Sequence, residues 1–311
     1  MISKISVIIP TYNPNLERLR QTIAGLKGQT LPIGEWELII VDNNSTNSFI
    51  ESIDLRWQPA TMLIGEPEQG LTYARISGFH AATGEVIVLV DDDNVLQKDY
   101  LKSVKDIFAR QPGIGAIGGK SVPHFESPAP EWLKEFYGNL ALRDFGNNII
   151  IDSWNNTYPS AAPVGAGIAI RKTALESYLS RNRAKKILIS DRKGGYLGSG
   201  GDNDIVLEIL KSGWQIGYFP SLSLTHIIPA ARIQAKYLAR LINNTNRSWI
   251  AVLEYHRINP WKKIPRWSVP LRKIKAWFVY SAWKSRLHYI RWSGACGLYD
   301  GLSDHNNQNT I

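Results

Sequence analysis

The sequence has one cysteine, Cys296, in 311 residues. That excludes an intrachain disulfide framework and fits a reducing compartment. Long apolar runs are also missing. None approaches the roughly 18 residues needed to span a bilayer. The first, Ile5 to Ile9, is cut by Pro10, short of the about 7 to 15 apolar residues at the core of a signal peptide. The chain is therefore expected to begin, and to stay, on the cytoplasmic side. There are no internal repeats and no glycine-rich phosphate loop. Gly113-Ile-Gly-Ala-Ile-Gly118 fits a dinucleotide pattern, but it does not follow the first strand, and Pro123 leaves little room for the helix that pattern requires. Lys120-Ser121 has Ile114 where a phosphate loop needs glycine. Acidic residues, finally, are absent between Arg257 and Ala295, where ten Lys or Arg stand. The net charge of +9 is thus local, and the rest of the chain sums to about −1.

The stretch around which the chain is organised is Gly84 to Asn94, Gly-Glu-Val-Ile-Val-Leu-Val-Asp-Asp-Asp-Asn. Val86 to Val90 are too few for an independent helix and mostly β-branched, which predicts a strand buried on both faces. It ends in three carboxylates. In an extended chain Asp91 and Asp93 share one side and Asp92 faces the other. Unit charges about 4 Å apart repel by about 1 kcal/mol even in water, so a packed acidic triplet calls for a cation or for open solvent. Hard oxygen ligands suit Mg2+ or Mn2+. The other reading is a solvated turn, with Asn94 opening the next helix.

Ile5 to Ile9 predicts a first buried strand, closed by Pro10, Thr11, Tyr12 and Asn13, and then a helix with Leu16, Leu19, Ile23 and Leu26 on one stripe up to Gly28. Trp36 to Val41 predicts a second strand ending at Asp42, and Met62 to Ile64 a third. Gly70 leads into a helix that feeds the acidic strand. Strands alternating with helices imply a mostly parallel sheet, with ligands beyond the strands' carboxyl ends. Tyr100 to Arg110 reads as a helix, Ile114 to Ile117 as a strand, and residues 120–162 as a long loop region with short elements. Val164 to Ile170 is small and apolar, and Lys172 to Ser180 reads as a helix. A flexible loop, Gly194 to Gly201, enters Asp202-Asn203-Asp204. A helix from Ile205 to Ser212 and extended chain from Tyr218 to Thr225 follow, closing with His226.

Ser6-Val-Ile-Ile-Pro-Thr-Tyr-Asn13, Ile40-Val-Asp-Asn-Asn-Ser-Thr46, Gly70-Leu-Thr-Tyr-Ala-Arg75, Gly84 to Asp93, Val164-Gly-Ala-Gly-Ile-Ala-Ile-Arg171 and Gly201-Asp-Asn-Asp204 stand in order. Over about residues 3–228 this set resembles the family 2 glycosyltransferases of the GT-A fold. The resemblance implies an α/β catalytic domain over 1–228, its mostly parallel sheet flanked by helices and its nucleotide-binding half Rossmann-like. It implies an inverting hexosyltransferase that moves a sugar from a nucleotide-diphosphate donor to an acceptor hydroxyl. By position it puts Pro10, Thr11, Tyr12 and Asn13 around the base and ribose. Asp42 accepts a hydrogen bond from the base ring, which favours a UDP-sugar; its plainer role is a turn or cap. Arg75 falls near the nucleotide or its phosphates, work that suits a planar cation, or is a solvated helix charge. Ile76 stands where the family often has Asn. The resemblance sets Asp92 or Asp91 on the ribose hydroxyls and Asp93 on Mn2+ or Mg2+, a DXD arrangement. His226 matches a position that reaches the metal or diphosphate in some members, or is structural. Asp202 aligns with the usual general base, and Asp204 with an acceptor contact or helix cap. Gly201 stands where Glu is common.

Residues 229–299 form a different module. Six of the eleven Trp lie beyond residue 245, interleaved with Lys and Arg. Basic, Trp-rich helices often lie in the membrane interface. This predicts peripheral attachment to an anionic membrane surface on the cytoplasmic face, beside a lipid-linked acceptor or a growing surface glycan. A helical pair packed on the catalytic domain is the alternative. Nucleic-acid binding would use the same charges but serves no sugar transfer. Residues 300–311 read as a polar tail. A nucleotidyltransferase would favour a glycine-rich loop and Lys after the first strand, which Pro10 to Asn13 is not. A non-catalytic glycan-binding or complex-forming subunit is disfavoured by retention of the acidic triplet and Asp202.

Overall fold

The short apolar runs of the N-terminal half form strands covered on both faces. The computed structural model describes Ile2, residues 4–183, Ile189, Asp191, Arg192 and residues 197–304. In it β1 (Ile5–Thr11) is buried along its whole length, and β2 (Trp36–Asp42) up to its last residue. Between them in sequence, α1 (Leu16–Lys27) starts at Asn15, whose side chain accepts from the Arg18 N–H, and stops at Gly28. β3 (Thr61–Gly65), α2 (Leu71–Ala81), β4 (Val86–Leu89), β5 (Asn94–Leu96) and α3 (Tyr100–Arg110) follow. Then come β6 (Ile114–Phe125), β7 (Ile150–Asp152), β8 (Ala169–Arg171), α4 (Glu176–Arg183), α5 (Gly201–Lys211) and β9 (Gln215–Ile228). The chain ends in α6 (Ala235–Tyr255), α7 (Val269–Val279) and α8 (Arg286–Ser303).

Two compact units divide the chain. One comprises Met1–His124, Ala141–Ile187 and Ile205–Ile228; the other comprises Phe125–Leu140, Leu188–Asp204 and Pro229–Ile311. The first holds a mixed sheet in the order β3-β2-β1-β4-β8-β6-β9-β5, with β7 on β9. Its β3-β2-β1-β4 half is parallel. Beyond β4 the pairings β4–β8, β6–β8, β5–β9 and β7–β9 are antiparallel. The period of two is plain in β1. Val7 and Ile9 join a core with Leu19 and Ile23 of α1 and Val104 and Phe108 of α3, whereas Ile8 joins Phe79 of α2 and Val206 and Ile209 of α5 on the other face.

The chain departs from the sequence-based expectation at the acidic triplet and at the start of α5. The acidic triplet is not extended: the Asn94 N–H donates to the Asp91 carbonyl (3.0 Å), a turn that cancels the i, i+2 alternation expected of Asp91 and Asp93. Asn94 then opens β5, not a helix. The helix expected from Ile205 begins at Gly201, so Asp202 and Asp204 lie inside its first turn. Of the expected flexible loop, Gly194, Gly195 and Tyr196 lie outside the described residues.

The second unit contains the expected C-terminal helices. α8 lies against α6 along Gly294, Gly297 and Gly301, where only glycine fits. A Cβ on Gly297 would come within 2.1 Å of the Asn243 carbonyl oxygen, and one on Gly301 within 2.8 Å of Ile250 Cβ. The resulting contact is cemented by Asn246 Nδ2 to the Gly294 carbonyl (3.0 Å) and Ser293 Oγ to the Ala239 carbonyl (2.8 Å). α7 is tied to α8 by aromatic rings, Trp277 meeting Trp292 edge-on at 4.9 Å. An Arg291–Glu135 pair at 2.6 Å joins α8 to an earlier segment of the same unit.

Candidate active site

The polar residues that close β1, β2 and β4 come together because the strands are parallel and in register. Thr11 stands opposite Asp42, and the Asn43 N–H donates to the Thr11 carbonyl (2.8 Å). Pro10 is buried inside β1, whereas Tyr12 is exposed. Asn13 has a left-handed backbone (φ 47°). That conformation suits Asn, and its Oδ1 accepts from the Thr46 N–H at 2.8 Å while its own N–H donates to Ser45 Oγ at 2.8 Å. Asp42 Oδ1 accepts from the Ser45 N–H (2.9 Å), so the turn role open to it is realised and orients its carboxylate.

The Asp91–Asn94 turn sends its carboxylates to different neighbours. Thr11 Oγ1 donates to Asp92 Oδ2, linking the ends of β1 and β4. Asp93 is buried, and His226 Nε2 approaches its Oδ1 to 3.4 Å. β5 makes that meeting possible: Asn94 pairs with His226 across β5 and β9, and the Ile227 N–H donates to the Asp93 carbonyl (2.9 Å). A hard carboxylate oxygen and an imidazole nitrogen therefore lie side by side. This donor set fits Mn2+ better than Mg2+, which prefers all-oxygen surroundings.

Sequence reasoning gave Asn43 no role, yet it organises this edge. Its Nδ2 donates to the carbonyls of Glu66 (3.2 Å) and Glu68 (2.7 Å), and its Oδ1 accepts from the Gly70 N–H (2.7 Å). Gly70, at φ 140°, occupies a conformation that favours glycine and starts α2. Arg75, one turn on, is buried, so the solvated helix charge considered for it is excluded.

Asp202 and Asp204 begin α5 in the second unit. N–H groups at the helix start go to Asp191, a buried residue whose Oδ1 accepts from Gly200 (2.9 Å) and Gly201 (2.8 Å). Asp191 also explains why Gly201 carries no side chain: a Cβ there would fall 2.2 Å from Asp191 Oδ2. Asp204 is only 2 % exposed, and its Oδ1 lies 2.8 Å from Nε2 of the equally buried His256, at the end of α6. Asp202 stays half-buried, its Oδ1 accepting from the Asn203 N–H (3.1 Å). Asp191 and His256 left no mark in the sequence, because their partners are distant along the chain and neither sits in a motif.

Residues 6–178 match the family described as Glycosyl transferase family 2. A glucosyl-dolichyl phosphate glucuronosyltransferase of Haloferax volcanii is 24% identical over 159 residues, 50% of this chain and 51% of that protein. The chain spans about half the length of the first curated relatives it matches. Among solved structures, S. aureus TarS 1-349 in complex with UDP-GlcNAc aligns with a TM-score of 0.54 at 16% identity, over 96% of this chain and 90% of that one. The mannosyltransferase PcManGT of Pyrobaculum calidifontis in complex with GDP-Man and Mn2+ aligns with a TM-score of 0.57 at 19% identity, over 95% and 74%. At these identities the likeness is one of fold.

Proposed function

Because the chain belongs to glycosyl transferase family 2, we propose that it is an inverting, metal-assisted hexosyltransferase. It takes a sugar from a nucleotide-diphosphate donor, a UDP-sugar, and gives it to an acceptor hydroxyl of a lipid-linked oligosaccharide or growing surface glycan. The observation that carries this reading is the convergence of three strand ends in one unit: Thr11 on Asp92, Asp42 fixed beside Thr11, and Asp93 against His226. UDP-GlcNAc in one fold neighbour, and GDP-Man with Mn2+ in another, support a nucleotide-sugar donor and a divalent metal.

Residues 1–228 are the catalytic part in this reading. Pro10 to Asn13 and Asp42 receive the base and ribose, with Asp91 and Asp92 on the ribose hydroxyls. Arg75 faces the nucleotide or its phosphates. Asp93 and His226 hold the metal, which when bound neutralises charge on the departing diphosphate. Asp202 takes the proton from the acceptor hydroxyl. Asp204 and His256 hold the first turn of α5, and with it Asp202. Residues 229–299 carry the protein to the cytoplasmic face of a membrane. Ten cations without an acid between Arg257 and Ala295 support that attachment, and among the described residues no helix is long and apolar enough to cross a bilayer.

The direct test is Asp202→Asn. Transfer from the donor is expected to fall about 10²–10⁴-fold, the range of a lost general base, with UDP affinity nearly unchanged. Normal turnover by the variant rules Asp202 out as the base.

A further inference from the structure

We infer that the membrane-docking surface is the outer face of α7, and that it takes an anionic phospholipid surface. This rests on the peripheral-membrane reading above and adds to it which residues enter the interface. Trp267, in the short turn before α7, is 75 % exposed; Leu271, Ile274 and Phe278 on the helix are 62 %, 58 % and 64 % exposed. Their spacing of four, three and four residues puts them on one stripe. A surface helix ordinarily turns such a stripe to the core. α7 already has another face for that: Val269 and Ala276 are buried, Lys273 Nζ pairs with Asp300 (2.7 Å), and Trp292 Nε1 donates to the Lys273 carbonyl (3.0 Å). The outer stripe is therefore held rigidly outward by contacts that do not involve it. Trp283, also exposed, continues it from Phe278, the two rings 5.8 Å apart.

The charge around the stripe selects the occupant. Lys275 lies on the exposed side of α7, Lys284 and Arg286 follow it, and no acid occurs between Arg257 and Ala295. Aromatic rings that sit at headgroup depth, aliphatic side chains that reach the acyl boundary, and a ring of cations are what an anionic bilayer surface takes. A second copy of the chain would oppose two cationic faces, and a nucleic acid would have no use for Leu271 or Ile274.

The test is sedimentation of the full chain with vesicles of phosphatidylcholine, alone or mixed with phosphatidylglycerol, beside a Trp267→Ser, Ile274→Ser, Phe278→Ser variant. All three side chains are exposed, so the variant should keep its thermal midpoint and its UDP affinity. The expected result is that the wild type binds the mixed vesicles and the variant binds them at least about tenfold more weakly. Equal binding by both overturns the assignment to α7 while leaving membrane attachment standing. No binding of the wild type to either vesicle removes the attachment itself. A wild-type dimer in solution that the variant converts to monomer overturns the inference in favour of self-association.

Discussion

At the scale of single residues, the pieces that hold the chemistry are more telling than the acidic motif itself. Asp204 and His256 form a buried pair whose side chains are 3% and 0% exposed. Replacing one partner leaves the other without a hydrogen bond it cannot recover from water. His256→Leu is therefore expected to cost about 2–4 kcal/mol, read as a lower urea midpoint at unchanged slope. A stability equal to wild type would mean that the pair is not what anchors the start of α5. Thr11, Asp92 and Asp93 were legible as neighbours at one sheet edge because three apolar strands each end in polar residues. His226 was legible only as a position. Its partner was not, since nothing local announces that β5 will pair with β9. Asp191 and His256 were invisible for the same reason, and Asn43, although it stands in the Ile40 to Thr46 motif, gave no sign of its bonds to Glu66, Glu68 and Gly70.

At the scale of elements, the strands read most easily were those with three to five consecutive apolar residues, and β5, only three residues long and starting at the acidic turn, was missed. The start of α5 was misread by four residues because its cap, Asp191, is a tertiary contact. β1, β2 and the turn before β4 are also fastened at their opposite ends. Glu37 accepts from Lys4 Nζ (2.7 Å), Ser6 Oγ (2.6 Å) and the Thr83 N–H (2.7 Å), and Ser6 Oγ in turn accepts from the Gly84 N–H (2.8 Å). Burial pushes the Glu37 carboxyl up, but the hydrogen bonds from Lys4, Ser6 and Thr83 outweigh it and hold the group at about 2, below its ordinary 4.5. A depressed native value stabilises the fold above the unfolded value and loses that stabilisation as pH falls through the native one. Between about pH 4.5 and 2 the wild type should thus lose up to about 3 kcal/mol that Glu37→Gln does not lose. Parallel acid unfolding curves for the two proteins would refute the assignment.

At the scale of the whole chain, the basic C-terminal region shares its unit with two earlier segments. Phe125–Leu140 and Leu188–Asp204 group with it, so the segment that carries Asp202 shares a unit with α6, α7 and α8. The tryptophans that marked this region in the sequence divide by role. Trp277 and Trp292 bind α7 to α8, whereas Trp267 and Trp283 face outward. Composition alone shows the number of aromatics and not which way each one faces. The proposed function stands or falls on the three strand ends forming one metal-dependent nucleotide site. Calorimetric titration of the wild type and Asp93→Asn with UDP, GDP and ADP, each with and without Mn2+, tests it most directly. UDP is expected to bind best, Mn2+ to strengthen its binding, and Asp93→Asn to abolish the metal's effect. Binding of UDP that ignores both Mn2+ and the Asp93 substitution, or no binding of any nucleotide, would contradict it.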